Sequence, residues 1–205
     1  GDFLKVIRPD IALVLSHHSS PQIRTAIIKL ICSYLVRAGK DHIEEFLQKQ
    51  YFQLLSVQLH SYPTHTEQVE EIVSFIVGKP FSFEFGTNFN EIEEPHELQQ
   101  ASFVVFLSLI ENTYRDIALC HNTLALTLKL YECSNVFGCL LLENKLIEVI
   151  TNLVARINSV TTRCTDMDGI DEYQLILEDI QLLLHAIVVR EFSTSGLVHI
   201  QQCEE

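Results

Sequence analysis

Ser20-Pro21-Gln22-Ile23-Arg24-Thr25-Ala26-Ile27-Ile28-Lys29-Leu30-Ile31-Cys32-Ser33-Tyr34-Leu35-Val36-Arg37-Ala38-Gly39 contains the start, stripe and stop of one helix. Ser20 suits an N-cap and Pro21 the first helical position, where the missing N–H costs nothing. Ile23, Ile27, Leu30, Ile31 and Tyr34 recur at helical spacing and predict one wide apolar face. Gly39 suits a left-handed C′ residue. A face that wide cannot be hidden by the helix alone, so the stretch predicts packing against neighbours.

The same grammar continues outward. Asp2 to about Leu15 reads as a short apolar helix interrupted at Pro9. Asp41-His42-Ile43-Glu44 resembles a capping box opening a helix to about Gln48. A further helix covers Tyr51–Leu59, ended by Tyr62-Pro63, and another runs over 67–77 from a Thr66 cap to Gly78. Helices resume at about 95–112, 114–133, 135–142, 145–160 and 171–191, with Asn144 and Asp171 as caps. A polar stretch, Ser159 to Gly169, separates the last two, and Gly196–Gln202 reads as a final half-repeat. The expectation is an all-α chain of nine to ten helices in one domain, 1–205, excised from a longer protein.

Two passages resemble the armadillo/HEAT helical-repeat superfamily. Ser20-Pro21-x-Ile23-Arg24-x-Ala26-Ile27-x-x-Leu30 is similar to the Pro-x-Val-Arg-x-x-Ala-x-x-x-Leu opening of a HEAT helix, with Ala one position early. Ile43 to Leu59 and Leu140 to Val154 share one character. Leu54/Leu55 and Val149/Ile150 stand 95 residues apart, about twice the roughly 40–47-residue period. A copy midway, near residue 101, is not evident. The resemblance implies a right-handed stack of helix pairs, an α-solenoid, whose grooves grip protein partners.

Composition narrows the function. The 205 residues carry 27 acids against 14 bases, a formal net charge of −13. Nucleic-acid affinity depends on cations neutralising phosphates, so a nucleic-acid binder is disfavoured, as is docking on an anionic membrane. Residues 1–65 hold seven bases and five acids, 66–100 one base and eight acids, and 101–205 six and fourteen. The acidic middle and last thirds favour a protein or peptide with a basic face. Six cysteines without Cys-x-x-Cys pairs, mostly in apolar runs, fit buried thiols of a reducing compartment. With no run long enough to span a bilayer and no signal segment, the expected address is intracellular, cytoplasmic or nuclear, without membrane insertion.

Chemistry is not written here. His17-His18 diverge by about 100° on a helix and cannot face one ion. Cys120-His121 diverge in the same way, and no metal, nucleophile or phosphate-loop motif occurs. Asp166-Met167-Asp168-Gly169-Ile170-Asp171 fails as a calcium loop, since Cys164 and Leu175 fall where carboxylates belong. His121 and His185 read as hydrogen-bonded core or groove residues. No cofactor, metal or catalytic residue is expected.

The candidate partner-binding feature is the long acidic, Phe-rich loop 79–97, where Phe81, Phe83 and Phe85 alternate with small or acidic residues and Phe89, Glu91, Glu93 and Glu94 follow. Alternation predicts an extended edge with phenylalanine anchors and an acidic rim. The competing expectation is a lid folded back over the core. A helical groove including Tyr131, Asn152 and Arg156 is the second candidate. The favoured function is a non-catalytic interaction scaffold. The alternatives are a structural spacer whose apolar terminal helices self-associate and, more remotely, an atypical helical enzyme.

Overall fold

The computed structural model describes residues 9–86, 89–161 and 168–202, with side chains omitted at 90, 168–172 and 194–202. Ten α-helices and no strand occur among the described residues: α1 Pro9–Leu15, α2 Pro21–Leu35, α3 Lys40–Gln48, α4 Tyr51–Leu59, α5 Thr66–Val77, α6 Glu97–Glu111, α7 Ile117–Cys133, α8 Asn135–Glu143, α9 Leu146–Thr161 and α10 Asp168–Gln202. None is long and apolar enough to cross a membrane. The expected helix at Asp2–Leu15 is described only from Pro9; its earlier part and residues 162–167, which include the start of the calcium-like stretch, lie outside the described residues, while Asp168 to Asp171 fall at the start of α10.

Helix α2 starts as expected, with Ser20 extended at the N-cap and Pro21 next. Its buried face is Arg24, Ile27, Ile28, Ile31, Cys32 and Leu35, so the stripe is rotated by one residue from the expected one. Ile23 is exposed and Arg24 is buried in its place. Gly39 is extended, not left-handed, and caps the start of α3 instead of the end of α2. Asp41 therefore falls inside the first turn of α3 rather than at its cap. Likewise His65, not Thr66, is the N-cap of α5, and its N–H donates to Gln68 Oε1 at 3.2 Å. Asn144 ends α8, donating to the Leu140 carbonyl at 2.8 Å. Asp171 lies within α10, and Gly196–Gln202 continues α10 instead of forming a separate half-repeat.

The internal repeat has a backbone counterpart. Gln50 and Lys145 are the two non-glycine residues at positive φ (53° and 71°) among the described residues, and they are 95 positions apart. Each is the left-handed step from a nine-residue helix into the next one. At the same offset Gly39 and Ser134 are the N-caps of those short helices, α3 and α8. Ile31 and Leu126, Leu35 and Leu130, Phe46 and Leu141, and Leu55 and Ile150 are all buried and keep that spacing. Thus α2–α3–α4 and α7–α8–α9 are two renderings of one plan. Between them α5 and α6 are joined by residues 78–96, in which no α-helix occurs among the described residues.

α2 packs on α5 and α7 on α10; α1 packs on α4, α4 on α6 and α6 on α9. The core runs through all of these contacts, with Phe46, Phe52, Phe103, Phe106 and Phe137 among its largest fully buried side chains. Arg24 is 2% exposed and is held by carbonyls rather than by an acid. Its Nη1 donates to His18 and Ser19 at 2.8 Å, and the guanidinium lies 4.3 Å from the centre of the Tyr62 ring. Burial lowers its pKa, partly offset by Tyr62.

Candidate functional site

The 78–96 connection is built by fixed anchors. Gly78 ends α5 in the left-handed conformation, φ 68°. A Cβ there would lie 3.2 Å from Gln99 Nε2, which itself donates to the Phe75 carbonyl at 3.1 Å. Ser74 Oγ accepts the Phe81 N–H at 2.8 Å, and Glu70 Oε1 accepts the Phe83 N–H at 2.9 Å. Lys79 Nζ donates to the Glu91 carbonyl at 2.7 Å, and the His96 N–H donates to Gln99 Oε1 at 2.9 Å.

These anchors turn the phenylalanines in different directions. Phe81 is buried, and Phe83 meets it edge-on at 5.2 Å between ring centres. Phe89, in a single 3-10 turn over Phe89–Glu91 that rests on α7, lies 6.2 Å from Phe81. All three pack on the core. Phe85 points the other way and is 83% exposed. The expected extended alternation is broken by a turn in which the Gly86 N–H donates to the Ser82 carbonyl at 2.7 Å. Glu91, Glu93 and Glu94 are exposed on the same connection. The connection thus presents one phenylalanine and an acidic rim outward, and three phenylalanines inward.

The second candidate set is divided. Asn152 and Arg156 on α9 converge on Glu111 at the end of α6. Arg156 Nε and Nη2 donate to Glu111 Oε1 at 3.2 and 3.0 Å, and Asn152 Nδ2 donates to Oε2 at 3.3 Å. Glu111 is buried, whereas Arg156 keeps about a third of its side-chain surface exposed. Arg156 Nη2 also lies 2.9 Å from His60 Nε2 and its guanidinium sits 5.5 Å from the Tyr114 ring centre. Asn112 Nδ2 completes the cluster, donating to the His60 carbonyl at 3.1 Å. The cluster ties the end of α4 to α6 and α9.

Tyr131 lies apart from these residues and is 1% exposed. Arg190 of α10 covers its ring at 4.8 Å and donates to its carbonyl at 2.6 Å, with a further hydrogen bond to Asn135 Oδ1. Gly138 of α8 makes room for that arginine, because a Cβ would stand 2.6 Å from Nη1. His121 Nδ1 is 2.6 Å from Asp179 Oδ2, pairing α7 with α10, while His185 is exposed at the edge of a shallow groove between the same helices.

A larger groove, about 680 Å³, runs between α2 and α5 and is walled by residues 78–81. Its lining mixes Cys32, Val36, Phe75 and Phe81 with Lys29, Arg37, Lys79 and Glu71. Burial pushes the Cys32 thiol up to about 12 and the Cys120 thiol to about 11, so neither is a nucleophile at neutral pH. Among the described residues no group of three or more His, Cys, Asp or Glu side chains is placed to hold a metal ion.

Over 201 residues, 98% of its length, the chain is 30% identical to the human protein named lysosomal-trafficking regulator. It spans about 5% of that relative, which is roughly twentyfold longer. No protein-family model and no solved structure matches the chain.

Sequence reasoning missed the α2/α5 groove and the Glu111 cluster. Lys29, Arg37 and Lys79 are scattered through the chain, and only the pairing of α2 with α5 and the turn at Gly78 bring them together. The one available signal was Lys79, the sole base in residues 66–100.

Proposed function

We propose that this chain is a segment of an armadillo/HEAT-type stack within a longer scaffold, and that it holds a protein partner without catalysing a reaction. The observation that carries this reading is the repeated plan of α2–α3–α4 and α7–α8–α9, with matching caps and left-handed steps 95 residues apart. The pairings α2–α5 and α7–α10 on one side and α1–α4, α4–α6 and α6–α9 on the other support this reading, since a stack of helix pairs would bring such helices together. Both ends carry apolar side chains in water: Ile11, Val14 and Leu15 on α1, and Leu175, Leu182, Val189 and Phe192 on α10. Similarity to a short part of a far longer trafficking regulator fits a scaffold segment.

The partner surface in this reading is the outward side of residues 79–97, with Phe85 as the anchor and Glu91, Glu93 and Glu94 as an acidic rim that steers a basic-faced protein. Retention of proteins from cell extract by the wild-type chain and by Phe85→Ser tests it. A protein held by wild type and lost by the folded variant is the expected result. Equal retention by both removes the loop from the function, and retention of nothing specific leaves the spacer reading, which the exposed end helices favour.

A further inference from the structure

The α2/α5 groove has a charge opposite to that of the chain. The protein carries −13, yet the lining holds Lys29, Arg37 and Lys79 against Glu71 alone among acids. Glu71 is already matched by Lys29 at 3.1 Å. Arg37 is exposed at the end of α2 and pairs with no acid among the described residues. Lys79 donates to the Glu91 carbonyl and forms no ion pair among the described residues. Phe75 and Phe81, both buried, also line the groove, and Val36 in its lining is 75% exposed. The volume is within the roughly 300–1,000 Å³ range of ligand-sized clefts.

We infer that this groove binds a short acidic peptide segment, an apolar side chain against Val36 and Phe81 and its carboxylates on Arg37 and Lys79. The inference deepens the scaffold reading by naming the partner chemistry of a second surface, and it rests on that reading. Charge complementarity selects the occupant. A nucleic acid or an anionic bilayer extends far beyond three cations and would meet a chain of net charge −13, and repulsion grows with every added phosphate. A short peptide feels chiefly the local field, because charges beyond about 8–10 Å are screened at physiological salt. The floor is concave and partly apolar, which suits a side chain and not a flat lipid surface.

The test is fluorescence anisotropy with a labelled peptide in which Asp and Glu alternate with Leu and Phe, beside a counterpart with Lys replacing every acid. The acidic peptide is expected to bind with a salt-sensitive affinity and the basic one not to bind in the groove. Arg37→Glu, on an exposed position that should leave folding intact, is expected to weaken the acidic peptide about tenfold, the sum of a lost attraction and a new repulsion. Lys79→Met should weaken it less. In amide NMR spectra the acidic peptide should shift signals of α2, α5 and residues 78–81. An unchanged affinity in Arg37→Glu, or shifts spread elsewhere, overturns the proposal. So does binding to phosphatidylserine vesicles without binding to the peptide, or occupation of the groove by a second copy of the chain. If extract proteins are still captured through Phe85 while the peptide fails, the groove inference falls and the scaffold reading stands; if both fail, the scaffold reading falls with it.

Discussion

Replacing Arg156 with Met removes the guanidinium while keeping most of the aliphatic stem, and the surroundings set the cost. Glu111 is buried and would lose two donors to Oε1, keeping only Asn152 Nδ2 at 3.3 Å and His60 at 3.7 Å. Breaking a fully buried pair costs roughly 3–5 kcal/mol, because one charge is left uncompensated. An exposed pair is worth under about 1 kcal/mol. Arg156 is 33% exposed, so water can partly replace it, and an intermediate loss of about 2 kcal/mol is expected. Glu111→Gln, which keeps the shape and one acceptor, should cost about 1 kcal/mol. If the two groups act on each other, the double variant should lose about 1 kcal/mol less than the two single losses together. Urea unfolding followed by circular dichroism measures all four proteins, with unchanged slopes required for the comparison. Additive losses, or a loss below about 0.5 kcal/mol in Arg156→Met, would refute the argument that α9 is fastened to α6 through this cluster.

Other outcomes follow from local geometry. Phe83→Ser should destabilise the protein by about 3 kcal/mol, whereas Phe85→Ser should stay within about 0.5 kcal/mol, as read by the same unfolding assay. Gly78→Ala should cost about 1 kcal/mol or more, because the residue would need a left-handed backbone and would press on Gln99 Nε2. Gln50→Gly should gain about 0.5 kcal/mol by relieving the left-handed step into α4, and a loss of stability would show that the Gln50 side chain contributes there. For thiols, iodoacetamide at mildly alkaline pH should modify exposed Cys139 while Cys32 and Cys120 stay unreacted in the folded chain, which mass spectrometry would reveal. The folded thiol pKa values are raised from 9.0, so their contribution to stability is intact below 9.0 and is lost as pH climbs through about 11 and 12.

The sequence announced helices better than it announced faces. Pro21 fixes the start of α2 through its own ring, and the spacing of Ile43–Leu59 against Leu140–Val154 already contained the 95-residue plan. The rotation of the α2 stripe was hidden because a lone arginine is expected in water. Here the carbonyls of His18, Ser19 and Pro63 and the Tyr62 ring solvate Arg24, and all four lie outside its own helix. Period-two alternation at Phe81, Phe83 and Phe85 pointed to a strand-like edge, but Ser74 and Glu70 of α5 draw the backbone into a turn instead. Helical spacing reports neighbours on one helix. It is silent about Arg156 and Glu111, 45 residues apart, and about Arg156 and His60, 96 apart. Tyr131, Asn152 and Arg156 were grouped by character, and the fold separates Tyr131 from the other two.

If the helices form the open-ended stack proposed above, its end helices should associate between copies, and sedimentation velocity over a concentration series measures this. The exposed apolar faces of α1 and α10 predict that the wild-type chain self-associates as concentration rises, and that a folded Leu182→Glu/Val189→Glu variant remains a monomer. A wild-type chain that stays monomeric throughout, with those faces in water, would contradict the account.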